Sequence, residues 1–75
     1  MKKYIVIEEC LGTDGEFTSN AYPATSAQNA SEICASLIKE MNDMMEVDKD
    51  LDPTTTTELE GDGWWFRVRI EEHES

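Results

Sequence analysis

The sequence predicts an α+β fold of order ββαββ: a mainly antiparallel four-stranded sheet with one amphipathic helix packed on one face. Three observations carry this expectation. Two β-branched and aromatic runs near the N-terminus flank a turn rich in glycine and aspartate. One long central stretch repeats its apolar residues at helical spacing. A last run, "WWFRVRIEE", alternates strictly. With 75 residues the chain forms one domain, close to the smallest size that a single core supports without staples.

The first strand is expected at about 3–11, "KYIVIEECL", ending at the "GTDG" turn of residues 12–15. The second spans about 16–22 and stops at Pro23, giving a β-hairpin. The helix follows at about 26–46. Thr25 and Gln28 have capping-box spacing, with Ser26 as a second candidate cap. Its apolar residues, from Ala30 and Ile33 through Leu37 and Ile38 to Met45, gather on one side at 100° per residue. A third strand is expected at about 55–60 from "TTTTELE", then a turn at "GDG", then a fourth strand at about 64–71.

One helix covers one side of such a sheet. Trp64, Phe66, Val68 and Ile70 share a face and are expected against the helix with Ile5 and Ile7. The open face would then carry Tyr4, Val6, Trp65, Arg67 and Arg69. An apolar patch of that kind marks an interface. It supports one of two functional expectations, an interaction or assembly module that dimerises or docks through the open face.

Composition narrows the classes further. At 39% hydrophobic residues the chain has a core and is not a disordered tail. No apolar run is long enough for a membrane span, and Glu8 and Glu9 interrupt the N-terminal segment too early for a secretory signal. A cytoplasmic protein is therefore expected. Cys10 and Cys34 read as buried thiols rather than a disulfide, and with one remote histidine they do not make a zinc site.

Charge is the outlying quantity. Seventeen acids against six bases give a net −11. Residues 40–62 hold nine of those acids (Glu40, Asp43, Glu46, Asp48, Asp50, Asp52, Glu58, Glu60 and Asp62) and a single base, Lys49. Several lie at the C-terminal end of the helix, where each negative charge costs about 0.3–1 kcal/mol at low salt. A merely solvated face has no need of one sign in the unfavourable place. Glu32 extends the row backwards along the helix, and Glu40 and Glu46 stand about 9 Å apart along its axis. Carboxylates at such intervals on a rigid element can occupy a groove built for phosphates.

Two chemical alternatives are weaker. Asp48, Asp50 and Asp52 match the first three ligand positions of an EF-hand loop. The sixth position is Pro53 instead of glycine and the twelfth is Leu59 instead of a bidentate glutamate, so no metal site is expected. His73 sits near the C-terminus with no nucleophile placed beside it, and no glycine pattern resembles a phosphate loop. Neither an enzyme nor a cofactor is expected.

In length, acidity, helix-on-sheet layout and the run from Glu40 to Asp62, the chain resembles the small acidic inhibitors that phages use against host defence, the anti-restriction and anti-CRISPR proteins. The resemblance implies a basic partner protein, such as a nuclease or a nucleic-acid-binding effector, rather than nucleic acid or membrane. It carries no specific residue over, because such inhibitors share no common motif. The leading functional expectation is thus a non-enzymatic inhibitor whose partner-binding residues are Glu32 and the nine acids of residues 40–62.

Overall fold

A computed structural model describes residues 1–74. The elements are β1 (Lys2–Leu11), β2 (Phe17–Ala24), α1 (Ala27–Met45), β3 (Glu58–Gly61) and β4 (Trp64–Glu74). They form one sheet of order β2-β1-β4-β3 with every neighbouring pair antiparallel, so the first and last strands lie side by side in its centre. This is the expected ββαββ fold.

The core lies between α1 and the sheet. Ile38 from the helix meets Leu59, Phe66 and Val68, and Cys10, Cys34, Leu37, Met41, Leu51 and Trp64 pack around them. Val6 and Ala30 are fully buried on the same side. Burying side chains the size of Phe66, Ile38 and Val6 contributes roughly 1.5–3 kcal/mol each. Both cysteines are free and half-buried, and burial pushes both thiols above their ordinary range. That favours inert, protonated thiols.

Local chemistry explains where element boundaries depart from expectation. Ser26, and not Thr25, caps the helix: its backbone is extended and its Oγ accepts the Asn29 N–H at 3.0 Å. Asn29, at the box's third helical position, reaches back to accept the Thr25 N–H at 3.0 Å, one residue before the cap's own amide. Pro23 lies within β2 because β2 is an edge strand, which tolerates a residue without a donor. The threonines are not strand. Asp52 gathers them: its Oδ1 accepts the Thr54 N–H and hydroxyl, and its carbonyl accepts the hydroxyls of Thr55 and Thr56. Those side-chain bonds compete with a ladder, so β3 begins only at Glu58.

The segment from 47 to 57 is a folded cover over one flank of the core. Leu51 is its apolar anchor. Asn42, a buried polar residue, ties it to the helix. Its Nδ2 donates to the Asp48 carbonyl at 2.7 Å and its Oδ1 accepts the Asp48 N–H at 2.9 Å. The Asn42 backbone carbonyl also accepts the N–H of Glu46, which ends the helix in the left-handed conformation at φ 52°. Nothing in the helical periodicity singles out Asn42, since one asparagine on a helix reads as a surface residue.

The strand faces require a correction. Direct partners across an antiparallel ladder share a face. Val6 pairs with Ile70 and Cys10 with Phe66, so Tyr4, Val6, Glu8 and Cys10 stand on the helix side. Ile5, Ile7, Glu9 and Leu11 stand on the open side with Trp65, Arg67 and Arg69. Tyr4 and Val6 are therefore not open-face residues, and Ile5 and Ile7 do not meet the helix. "YIVI" is apolar at every position, so alternation within β1 carries no sign of which parity is buried. Pairing with β4 decides it.

Asn42→Ala leaves the Asp48 amide and carbonyl without their partners in a half-buried place. Urea or thermal unfolding is expected to show a loss of about 1–3 kcal/mol. Amide exchange should rise first between residues 48 and 52.

Candidate functional site

The open sheet face is built in rows across the strands. Phe17, Leu11, Trp65 and Glu60 form one row; Ser19, Glu9, Arg67 and Glu58 the next; then Ala21, Ile7 and Arg69; then Pro23, Ile5 and Glu71. Glu9 is the hub. One of its oxygens accepts from Arg67 Nε at 3.1 Å and from Arg69 Nη1 at 2.6 Å, and its side chain is only 15% exposed. Arg69 also reaches Glu71 at 3.1 Å, and Glu71 meets His73 Nε2 at 3.1 Å. The Arg67 guanidinium lies 4.8 Å from the Trp65 ring centroid, and Phe17 tilts against Trp65 at 6.0 Å. Hydrogen bonds from His73 and then Arg69 hold the Glu71 carboxyl below the usual glutamate range. His73 is thus a member of β4 and of this network, not a frayed end.

On the other side, Glu8 stands among Asn20, Tyr22 and Val68 and accepts hydrogen bonds from Asn20 Nδ2 at 3.0 Å and the Tyr22 hydroxyl at 3.4 Å. Adjacent glutamates therefore do different work. Glu9 gathers the two arginines, while Glu8 satisfies polar groups of the edge strand.

The acidic residues divide into separate groups. Helix α1 presents Glu32, Glu40, Asp43 and, at its C-cap, Glu46, and the cover segment adds Asp48, Asp50 and Asp52; all seven are exposed. Asp43, Glu46 and Asp48 line one open depression with Asn42 and Lys49. Glu32 and Glu40 line another, on the flank of the helix that carries Ile33 and Leu37. Glu58 and Glu60 do not join them. As direct partners of Arg67 and Trp65 they project from the open sheet face, opposite the helix. Asp62 lies in the turn between β3 and β4. The ten candidate acids therefore do not form one continuous surface.

Six of the seven share a lack of compensation. Both arginines are engaged on the far face. Lys39 pairs with Asp43 at 2.9 Å, an exposed i,i+4 contact, and the other six carboxylates have no ion-pair partner among the described residues. The last turn of α1 carries no base. Two of the seven also have a structural part. Asp48 Oδ1 accepts the Asp50 N–H at 2.9 Å, and Asp52 closes the threonine turn, whose hydrogen bonds hold its carboxyl below the usual range. Among the described residues no three histidine, cysteine, aspartate or glutamate side chains come together to hold a metal ion. No helix is long and apolar enough to cross a membrane.

Sequence reasoning missed Ile5, Ile7, Leu11 and Phe17 on the open face, and it missed Glu9 as the hub. The strict alternation of "RVR" was the signal for Glu9, since two arginines on one face need a carboxylate from the neighbouring strand. Compared with protein-family models, curated proteins and solved structures, the chain matches none.

The Glu71 geometry has a pH signature. A carboxyl depressed in the folded state contributes stability that is present above its unfolded pKa and is lost as pH falls through the folded value. In a carbon-detected titration Glu71 is expected to protonate below the ordinary glutamate range. Converting His73 and Arg69 to glutamine should move its midpoint upward.

Proposed function

We propose that this protein is a non-enzymatic acidic binding protein that inhibits a nucleic-acid-binding partner. It does so by placing the carboxylates of α1 and the cover segment into the partner's basic groove. The observation that carries this reading is the segregation of charge. Glu9 and Glu71 hold both arginines on the open sheet face, leaving Glu32, Glu40, Glu46, Asp48, Asp50 and Asp52 uncompensated on the opposite layer. A protein that wanted acids only for solubility would set more than Lys39 and Lys49 among seven acids and would cap the helix end with a cation.

The corrected site is smaller than the sequence alone suggested. Glu58 and Glu60 lie outside it, and Asp43 is partly offset by Lys39. Rigidity supports the remainder. The acids stand on a helix and on a segment fastened by Asn42 and by side-chain turns at Asp48 and Asp52. Carboxylates held in place lose little entropy on meeting lysine and arginine, and desolvating a carboxylate against a guanidinium strengthens each bond. Electrostatic attraction at this density speeds encounter with a basic groove and weakens as salt rises.

The test is competition against labelled duplex DNA or guide RNA on a panel of restriction endonucleases and RNA-guided nucleases. Displacement should fall by about tenfold or more with Glu46→Lys plus Asp50→Lys. It should survive Glu58→Lys plus Glu60→Lys, which make the same charge change on the other face. Equal losses from the two pairs would count against a helix-and-loop site, and no displacement on any member of the panel would count against the inhibitor.

A further inference from the structure

The open sheet face poses a separate problem, because seven apolar side chains stand on it and no other element packs over them. Ile5, Ile7 and Leu11 of β1, Trp65 of β4 and Phe17, Ala21 and Pro23 of β2 all stand on this side. Phe17 is 52% exposed. We propose that this face binds a second copy of the chain, giving a two-fold dimer in which the sheets pack face to face and the helices point outward.

Charge selects the occupant. A chain with net −11 repels its own copy over most of its surface. The helix and the cover segment, residues 25–57, hold seven carboxylates against two lysines. The open face is different: Lys3, Arg67 and Arg69 stand against Glu9, Glu58, Glu60 and Glu71, three bases to four acids. It is the one broad side on which an identical molecule meets almost no net charge. A strongly basic partner is drawn to the opposite layer instead, and an acidic one finds the arginines already occupied by Glu9 and Glu71.

Shape and order agree. The chain measures 41 × 28 × 13 Å along its principal axes, which is one helix layer on one sheet. The two longer extents leave room for the roughly 800 Å² per partner that a standard interface buries. Two such sheets stack about 10 Å apart, with their side chains forming a second core. The polar centre is already paired within each copy, with Glu9 taking both arginines and Arg67 lying over Trp65, while Glu58 and Glu60 stand on the edge strand β3, at a rim that water reaches. A two-fold contact needs a self-complementary patch, and apolar groups flanking a balanced ion-paired centre are one.

The dimer and the acidic site lie on opposite faces, so each stands or falls alone. Salt separates them by sign. Screening weakens the repulsion between two acidic copies and tightens the dimer, whereas it weakens binding to a basic partner.

Sedimentation of the full chain tests the proposal. The expected species has twice the 8.5 kDa chain mass at about 100 μM and dissociates on dilution. Its affinity should rise between low and moderate salt. Trp65→Ser should weaken it by about tenfold or more. Ala21→Arg, at an exposed edge position beside Ile7, should do the same while leaving the thermal melt of the diluted monomer unchanged, even though it lowers the repulsive charge. Glu40→Lys on the helix should leave the dimer intact or tighten it. A monomer at every concentration overturns the proposal, as does a dimer that Ala21→Arg does not weaken.

Discussion

The interaction on which this structure turns is the shared bond of Glu9 with Arg67 and Arg69. It joins the two central strands on the solvent side of the sheet while Phe66 and Val68, interleaved with the arginines, enter the core on the other. Slipping β1 by one residue against β4 would send Glu9 toward the helix and bring Glu8 round to the arginines in its place, away from Asn20 and Tyr22. A one-residue slip in a half-buried sheet inverts every side chain, so the adjacent glutamates hold the register together, Glu9 by the arginines and Glu8 by the edge strand, with Val6 in the core. The same bond removes both arginines from the helix side, and the electrical asymmetry of the molecule follows.

That asymmetry explains features that look costly in isolation. Helix α1 ends with a glutamate in the left-handed conformation, no base in its last turn and two acids nearby, against both backbone preference and the helix dipole. The ending is held by other means. Asn42 accepts and donates at Asp48, Leu51 anchors the segment, and the aspartates at 48 and 52 fold their own turns. Local strain at this helix end is balanced by a clamp from a buried amide.

Parts of this were legible from sequence for plain physical reasons. The helix declared itself because a 3.6-residue period over nearly twenty residues has no competing explanation. Strand β4 did so because large apolar residues alternate with arginines. Strand β1 could not declare its faces, since Tyr4, Ile5, Val6 and Ile7 are apolar in both parities and Glu8 and Glu9 are acidic in both. The threonines had β propensity, but Asp52 offered them closer hydrogen-bond partners than a neighbouring strand did. The acidic run was visible as composition. Its division between two faces was not, because Glu58 and Glu60 take their direction from pairing with Arg67 and Trp65.

The two faces thus hold different electrostatic potentials within one small chain, and that potential can be mapped directly. Paramagnetic relaxation of backbone amides by a small cationic nitroxide, divided by that of a neutral nitroxide of the same size, reports local charge residue by residue. The largest ratios are expected along residues 40–52, with ratios near the neutral baseline at Ile7, Glu9, Arg67 and Arg69. A ratio that is uniform over the molecule, or highest on the sheet, would contradict it.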